Sequence, residues 1–166
     1  MFEVLAFVYD NYDTAEAWPE PAHLHKKLSA VGFEADEIDD AMRWLGGLNL
    51  AAQGSPVPIS VAGHPSPPQA WLLQPSALSM RIYPALEQSH LGMQALGFIR
   101  FLESSGMLSA HMREVVIDRA MAAPGGPVAL DDLKIIVLMV FWRFGREPDA
   151  LVLDELCDDP QARIAH

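Results

Sequence analysis

The uninterrupted apolar run from Ile135 to Trp142 constrains the fold of this chain more than any other feature. Taken alone, a run this rich in β-branched and aromatic residues is compatible with a buried strand. Asp131 in a capping position before it, and Gly145 and Pro148 after it, favour a helix. A helix that is apolar on every side must be enclosed by other elements. We therefore expect it at the centre of the C-terminal half, packed by the two preceding helices and by the N-terminal unit.

Three helices are predicted in the N-terminal third from the spacing of apolar residues and from the prolines and glycines between them. They cover residues 2 to about 17 with a break near Trp18, residues 23 to 31, and residues 35 to 46 or 47. Gly32 closes the second helix because glycine adopts the left-handed conformation without a Cβ clash. The last two helices, joined by this tight turn, resemble a helix-turn-helix over residues 24–47.

The middle of the chain combines a proline-rich connection with two short apolar segments. Residues 53–76 contain six of the 13 prolines and are expected to form a loop. We expect residues 70–73 and 79–83 to pair as a short β-hairpin in the position of a wing. Alternation along the second strand would place Arg81 and Tyr83 on the face opposite Ile82.

Three further helices are predicted in the C-terminal half. They cover residues 89–104, residues 109 to about 122 with Ser109 as the N-cap, and residues 131 to about 145. The predicted fold is therefore mainly α. A winged-helix-like unit of residues 1–84, with a helix-turn-helix and a short β-hairpin, packs with a three-helix bundle of residues 85–147, and a tail of residues 148–166 follows.

The charge distribution disfavours direct nucleic-acid binding. The chain has 22 acids and 11 bases, a formal net charge of −11, and no cluster of Lys and Arg. The helix that would read DNA carries Asp36, Glu37, Asp39 and Asp40 in its N-terminal portion, where they would face phosphates. These acids are well placed near a helix N-terminus, so a structural or protein-binding unit is favoured over a DNA reader.

Residues able to carry chemistry are few and do not converge. His23 and His25 have no identifiable third ligand, and Cys157 is the only cysteine, which excludes a disulfide framework within the chain. The acid pairs at 39–40, 131–132 and 158–159 are adjacent, but adjacency does not direct two carboxylates into one cleft. We therefore assign no catalytic, cofactor-binding or metal-binding residue, and we expect no enzymatic activity.

We expect neither an export signal nor a membrane span in this chain. Its first residues lack a basic region, and its longest apolar run is far below the roughly 20 residues that cross a bilayer. A single cysteine also suits a reducing compartment. We expect a cytoplasmic protein.

Two sets of residues are candidates for a partner-binding surface. The first is Arg81 with Tyr83 on the predicted edge strand. The second consists of three bases of the C-terminal half, Arg113, Arg119 and Lys134. Acids next to two of these bases favour solvated ion pairs as the alternative.

Six segments, taken in order, closely resemble the bacterial Smg family. They are Met1-Phe2-Glu3-Val4-Leu5, Gly32-Phe33, Ala41-Met42-Arg43-Trp44-Leu45, Leu78-Ser79-Met80-Arg81-Ile82-Tyr83, Arg113-Glu114-Val115-Val116-Ile117-Asp118-Arg119 and Leu130-Asp131-Asp132-Leu133-Lys134-Ile135-Ile136-Val137-Leu138-Met139-Val140. Residues 79–83 and 130–140 are the most specific. The resemblance spans residues 1 to about 145, whereas the connection over 54–76 looks longer than the family's usual one and the tail after Arg146 departs from it.

The resemblance implies a bacterial cytoplasmic protein of a family without an established molecular function or accepted catalytic residues. Genes of the family often lie near genes for DNA-processing and topoisomerase proteins, which suggests a supporting role in DNA transactions. Neighbourhood of genes is an association only.

Three functional hypotheses follow. The leading one is a non-enzymatic adaptor or regulatory module that binds another protein. The alternative is a nucleic-acid-binding or DNA-processing accessory protein that acts through the helix-turn-helix. The third, an enzyme, requires a pocket lined by polar groups from several helices.

Overall fold

The computed structural model describes residues 1–12, 20–54 and 81–146. It contains the helices α1 (Phe2–Asn11), α2 (Pro21–Val31), α3 (Ala35–Ala52), α4 (Ala85–Ser104), α5 (Ala110–Met121) and α6 (Leu130–Arg143). These ranges hold no β-strand, so the mainly α prediction is confirmed. In the same ranges no helix has the length and apolar character to span a membrane.

Helix α6 lies at the centre of the hydrophobic core. Nine of its fourteen residues are buried, including Phe141 and Trp142, which confirms the helical interpretation of the apolar run. It contacts α1 and α3 from the N-terminal part and α4 and α5 from the C-terminal part. Each large apolar side chain contributes about 1.5–3 kcal/mol when it is fully buried. The N-terminal and C-terminal helices therefore share one core built around α6.

The start of α6 differs from the prediction. The helix begins at Leu130 with Ala129 in the N-cap position, so Asp131 lies in the first turn and is not the cap. The reason is a tertiary contact, because the Val128 amide donates to the His90 carbonyl at 2.7 Å and positions the chain before the helix. Asp131 still benefits from the partial positive charge at the helix N-terminus.

Helix α1 is shorter than predicted. It ends at Asn11, and Tyr12 adopts an extended conformation with its amide bonded to the Val8 carbonyl. The Tyr12 carbonyl accepts a hydrogen bond of 2.9 Å from Trp142 Nε1, so the end of α1 is tied to α6. The prediction of a helix was wrong at Tyr12 because it rested on spacing alone, and residues 13–17 lie outside the described residues.

The α2–α3 pair has the predicted glycine turn. Gly32 adopts φ 108° at the end of α2, and its amide donates to the Leu28 carbonyl at 3.2 Å. The predicted end of α3 at Gly46 or Gly47 was wrong, because the helix continues to Ala52. Leu48 is fully buried, so its packing favours continuation past the glycines.

A reciprocal pair of hydrogen bonds joins α3 to α5. Trp44 Nε1 donates to the Arg119 carbonyl at 3.0 Å, and Arg119 Nη1 donates to the Trp44 carbonyl at 3.3 Å. A Cβ atom on Gly47 would lie only 1.8 Å from Arg119 Nη1. Glycine at position 47 therefore gives the arginine the space it occupies against α3.

Helices α4 and α5 form an antiparallel hairpin whose capping was predicted correctly. Ser109 Oγ accepts from the Met112 amide at 3.3 Å and caps α5. Helix α4 starts at Ala85, one turn earlier than predicted, and is interrupted at Gly92, where φ is 72° and ψ is 171°.

The predicted β-hairpin of the winged-helix-like unit is not supported in the described part of the chain. Arg81, Ile82 and Tyr83 have no regular secondary structure, so the second strand was wrong at these residues. The Tyr83 carbonyl accepts a hydrogen bond from Gln88 Nε2 at 2.7 Å. Pro84 is the N-cap of α4, and because proline has no amide hydrogen it cannot donate a hydrogen bond to a neighbouring strand. These contacts commit the segment to α4.

Several predictions concern residues outside the described ranges. They are the break near Trp18, the loop over residues 55–76, the first strand over 70–73, residues 79–80 of the second strand and the tail over 148–166.

Gly46 and Gly47 provide a matched test of the α3–α5 contact. A Cβ on Gly46 meets nothing within 4 Å, so Gly46→Ala should raise the free energy of unfolding by about 0.5–1 kcal/mol through helix propensity. Gly47→Ala must displace the Arg119 guanidinium and should be less stable than Gly46→Ala by about 1–2 kcal/mol. Urea denaturation measures both values, and equal stability of the two variants would contradict the role given to Gly47.

Candidate interaction surface

Arg81 anchors the segment that leads into α4. Its Nε donates to both carboxylate oxygens of Glu114 at 2.9 and 3.0 Å, and its Nη1 and Nη2 donate to Glu87 at 2.5 and 3.0 Å. The guanidinium also lies 4.6 Å from the centre of the Tyr83 ring. Only the planar arginine fork satisfies two carboxylates in this way. Arg81 therefore ties its own segment and the first turn of α4 to α5.

A second arginine ties the other end of α4 to α5. Arg113 is buried, and its Nη1 donates to Glu103 near the end of α4. Its Nε and Nη2 donate to Glu114 at 2.9 and 2.8 Å. Glu114 thus accepts hydrogen bonds from both arginines. We call Arg81, Glu87, Glu103, Arg113 and Glu114 the arginine–glutamate network.

Within the network, the ionised forms of Arg81 and Glu114 are favoured. Hydrogen bonds to Glu87 and then to Glu114 outweigh burial and raise the pKa of Arg81. Burial raises the pKa of Glu114, but hydrogen bonds from Arg81 and Arg113 outweigh it, so the net shift is downward. Burial also raises the pKa of the Tyr83 hydroxyl. The shifts of Arg81 and Glu114 favour charged side chains, and the shift of Tyr83 favours a neutral hydroxyl; both suit a structural role for the network.

The residues predicted to form a partner-binding surface contact other residues of the same chain. Arg81 is mostly buried against acids of the same chain, whereas the next residue, Ile82, is 88% exposed. Arg119 Nε and Nη2 donate to Asp118 at 2.9 and 2.7 Å, and Lys134 is buried. Arg113 and Arg119 do pair with neighbouring acids, but both arginine side chains are largely buried, so these pairs are not the solvated ion pairs expected as the alternative.

Large apolar side chains remain exposed along the stretch that the network holds. Ile82 and Met93 are 88% and 90% exposed, Leu86 is 71% exposed and Phe101 is 50% exposed. Met93, Gly97 and Phe101 recur at four-residue intervals after Gly92 and lie on one side of α4, which we call the α4 outer face. Single exposed apolar residues are normal, but several on one stretch mark a candidate interaction surface.

Sequence reasoning missed this surface. The buried side chains of α4 are Leu91, Ala95, Ile99 and Leu102. The spacing of Met93 and Phe101 about Gly97 was the available signal, and it remained hidden because a helix in a small protein is expected to be polar on its other side.

A cleft of about 220 Å³ opens where the N-terminus meets α3 and α5. Its lining consists of Met1, Asp40, Arg43, Trp44, Arg119, Ala122 and Pro124. The Met1 amine lies 3.5 Å from Glu37, and Arg43 Nη1 lies 2.8 Å from Asp40. These charged groups therefore interact with acids of the same chain.

The remaining predicted candidates are dispersed. His25 Nε2 lies 3.8 Å from Asp39 Oδ1 at the exposed surface between α2 and α3. Over residues 1–12, 20–54 and 81–146 no three His, Cys, Asp or Glu side chains form a group able to hold a metal ion. Burial and then the neighbouring Asp131 raise the pKa of Asp132. Cys157 and the acids at 158–159 lie outside the described residues.

Comparison with known proteins decides the family. A family model described as "Protein of unknown function (DUF494)" matches residues 1–166. A protein named "Protein Smg homolog" from Methylibium petroleiphilum is 52% identical over 166 residues, with the whole of both chains aligned. The chain belongs to the Smg family. The Smg homologues of Leptothrix cholodnii and Bordetella avium are 51% and 44% identical, again over the full length of both chains.

The Smg resemblance inferred from six segments is thus confirmed and extends further than expected. These relatives align through the proline-rich connection, which was expected to be longer than the family's usual one, and through the tail, which was expected to depart from the family. No solved structure matches this chain.

The shared acceptor Glu114 gives the arginine–glutamate network a measurable pH dependence. The folded-state pKa of Glu114 is lowered, so its ionised carboxylate stabilises the fold above the unfolded-state pKa of about 4.3. This stabilisation is lost as the pH falls through the lower folded-state value. Because about half of the side chain is exposed, we expect Glu114→Gln to cost only about 0.5–1 kcal/mol at pH 7.

Thermal unfolding of wild type and Glu114→Gln between neutral pH and about pH 3 tests this expectation. The difference in stability should shrink as the pH falls below about 4.3. Asp10→Asn, which removes an exposed acid of α1, is the control. A Glu114→Gln difference that stays constant with pH would contradict the role of the carboxylate.

Proposed function

We propose that this Smg-family protein is a non-enzymatic, cytoplasmic adaptor or regulatory module that binds protein through the α4 outer face. The observation that carries the proposal is the exposure of Met93 and Phe101 on the same side of a helix whose opposite side enters the core. Covering apolar surface stabilises a complex by about 25 cal/mol per Å² before the costs of association. An exposed apolar helix face is therefore a source of binding energy.

The arginine–glutamate network supports this proposal by holding α4 in place. Glu87 near the start of α4 and Glu103 near its end are both paired with arginines that also contact Glu114 of α5. A surface that is already ordered loses less conformational entropy when a partner binds. Substitution of Arg81 would consequently test the stability of α4, whereas substitution on the α4 outer face tests binding.

The charge of the chain supports selective protein contact. The net charge of −11 opposes non-specific association with other acidic macromolecules. Residues 93–104, which include the α4 outer face, contain one base, Arg100, and one acid, Glu103. A nearly neutral apolar face within an acidic protein favours a partner that buries apolar surface.

The nucleic-acid alternative is based on the α2–α3 pair, which resembles a helix-turn-helix. Asp36 and Glu37 occupy the first turn of α3, and Asp40 pairs with Arg43. Phosphates would meet carboxylates at the helix expected to enter the groove. If the protein supports DNA transactions without binding DNA, it would do so by contacting a DNA-processing protein.

The proposed function is tested by affinity purification from native lysate with the full chain tagged at its C-terminus. We expect the double variant Met93→Glu, Phe101→Glu to reduce recovery of bound protein about tenfold, because charge replaces the apolar contact. Quantitative mass spectrometry of the bound fraction measures the loss.

Leu50→Glu is the matched control, because Leu50 is also an exposed apolar residue, at 61%, but belongs to a different helix, α3. Unchanged circular dichroism should accompany all variants, since each changes an exposed side chain. Equal recovery with wild type, the double variant and the control would refute the proposed surface.

A filter-binding measurement separates the nucleic-acid alternative. We expect no retention of duplex DNA even at low salt, because no cluster of bases is available to release counterions. A basic DNA-binding protein serves as the positive control. Retention that decreases steeply with salt would instead favour binding through α2 and α3.

A further inference from the structure

We infer that the partner of the α4 outer face is a second copy of this chain, with the two α4 helices crossing antiparallel about a two-fold axis at Gly97. This inference rests on the proposed function, because it names the partner of the same surface. It commits the face to self-association, whereas the proposed function requires only that the face binds protein.

The spacing of the face is self-complementary. In an antiparallel crossing at Gly97, a residue a given number of positions before Gly97 meets the residue the same number of positions after it in the other copy. Met93 then packs against Phe101 of the second copy, and Phe101 packs against its Met93. Contacts between methionine sulfur and an aromatic ring are favourable, and a two-fold axis makes each contact twice.

Gly97 allows the two helices to approach closely. Among the described residues, a Cβ atom at this position would meet nothing within 4 Å, so their packing does not require a glycine here. Glycine is otherwise unfavourable in an exposed helix interior. Its position at the middle of the α4 outer face, between Met93 and Phe101, fits a crossing point where another backbone lies against it.

The charges of the face suit a second copy of an acidic chain. Two copies with a net charge of −11 each repel one another over most of their surfaces. The segment 93–104 carries one positive and one negative residue, so contact here brings no excess of like charge together. The same register places Arg100 opposite Gln94 of the second copy, a pairing without like-charge contact.

The expected complex is weak. An interface made by one helix from each copy belongs to the small class, below about 1,200 Å² in total, in which complexes are transient. We therefore expect a monomer–dimer equilibrium that depends on protein concentration.

Sedimentation velocity over a concentration series tests self-association. Wild type should shift from monomer towards dimer as the concentration rises. Gly97→Gln places a long polar side chain at the crossing point and should weaken the dimer about tenfold. Gly46→Gln, at an exposed glycine of α3 with nothing within 4 Å of its Cβ position, should behave as wild type.

Cysteine cross-linking tests the register. In a Cys157→Ser background, Gly97→Cys places the two sulfur atoms at the axis and should form disulfide-linked dimers about tenfold faster than Gly46→Cys under mild oxidation. Equal rates for the two variants would overturn the proposed crossing.

The outcomes separate this inference from the proposed function. A wild type that remains monomeric at every concentration, while the double variant at Met93 and Phe101 still loses a different protein from the lysate, would overturn self-association and leave the proposed function supported. Self-association that persists in Gly97→Gln would also overturn the inference, because the dimer would then use another surface.

Discussion

The burial of α6 is the interaction on which the rest of the structure depends. This helix is buried on several sides, so it cannot remain at a surface. Helices α1, α3, α4 and α5 enclose it, and its buried side chains include Ile136, Val137, Leu138, Val140 and Phe141. The enclosing helices come from both parts of the described chain, which makes the core common to them. Polar contacts then complete the arrangement, as in the hydrogen bond from Trp142 Nε1 to the Tyr12 carbonyl.

Features determined by neighbouring residues could be predicted from the sequence. The glycine turn at Gly32, the Ser109 cap and the helical state of α6 each depend on a few adjacent positions. Features determined by distant residues could not. Arg119 lies 75 residues from Trp44 in sequence, and Arg81 lies 33 residues from Glu114, so neither pairing is visible before the helices are packed. The early end of α1 and the late end of α3 have the same kind of cause.

The candidate surface was predictable only in part. The sequence offered Arg81 and Tyr83 as candidates for a partner-binding surface, and both lie just before α4. It could not show that Arg81 is occupied by two glutamates and that the exposed groups are apolar. Membership of the Smg family adds relatives with full-length similarity, while the surface itself supplies the chemistry on which the proposed function rests.

The sharing of Glu114 has a consequence for how α4 moves. Because one carboxylate accepts from Arg81 at the start of the α4 contact and from Arg113 at its end, a disturbance at either end weakens the hydrogen bonds at the other. Local opening of a helix held in this way is cooperative. The apolar side of α4 is accordingly either ordered as a whole or disordered as a whole. Partly detached states, in which some of its apolar side chains could aggregate, are rare.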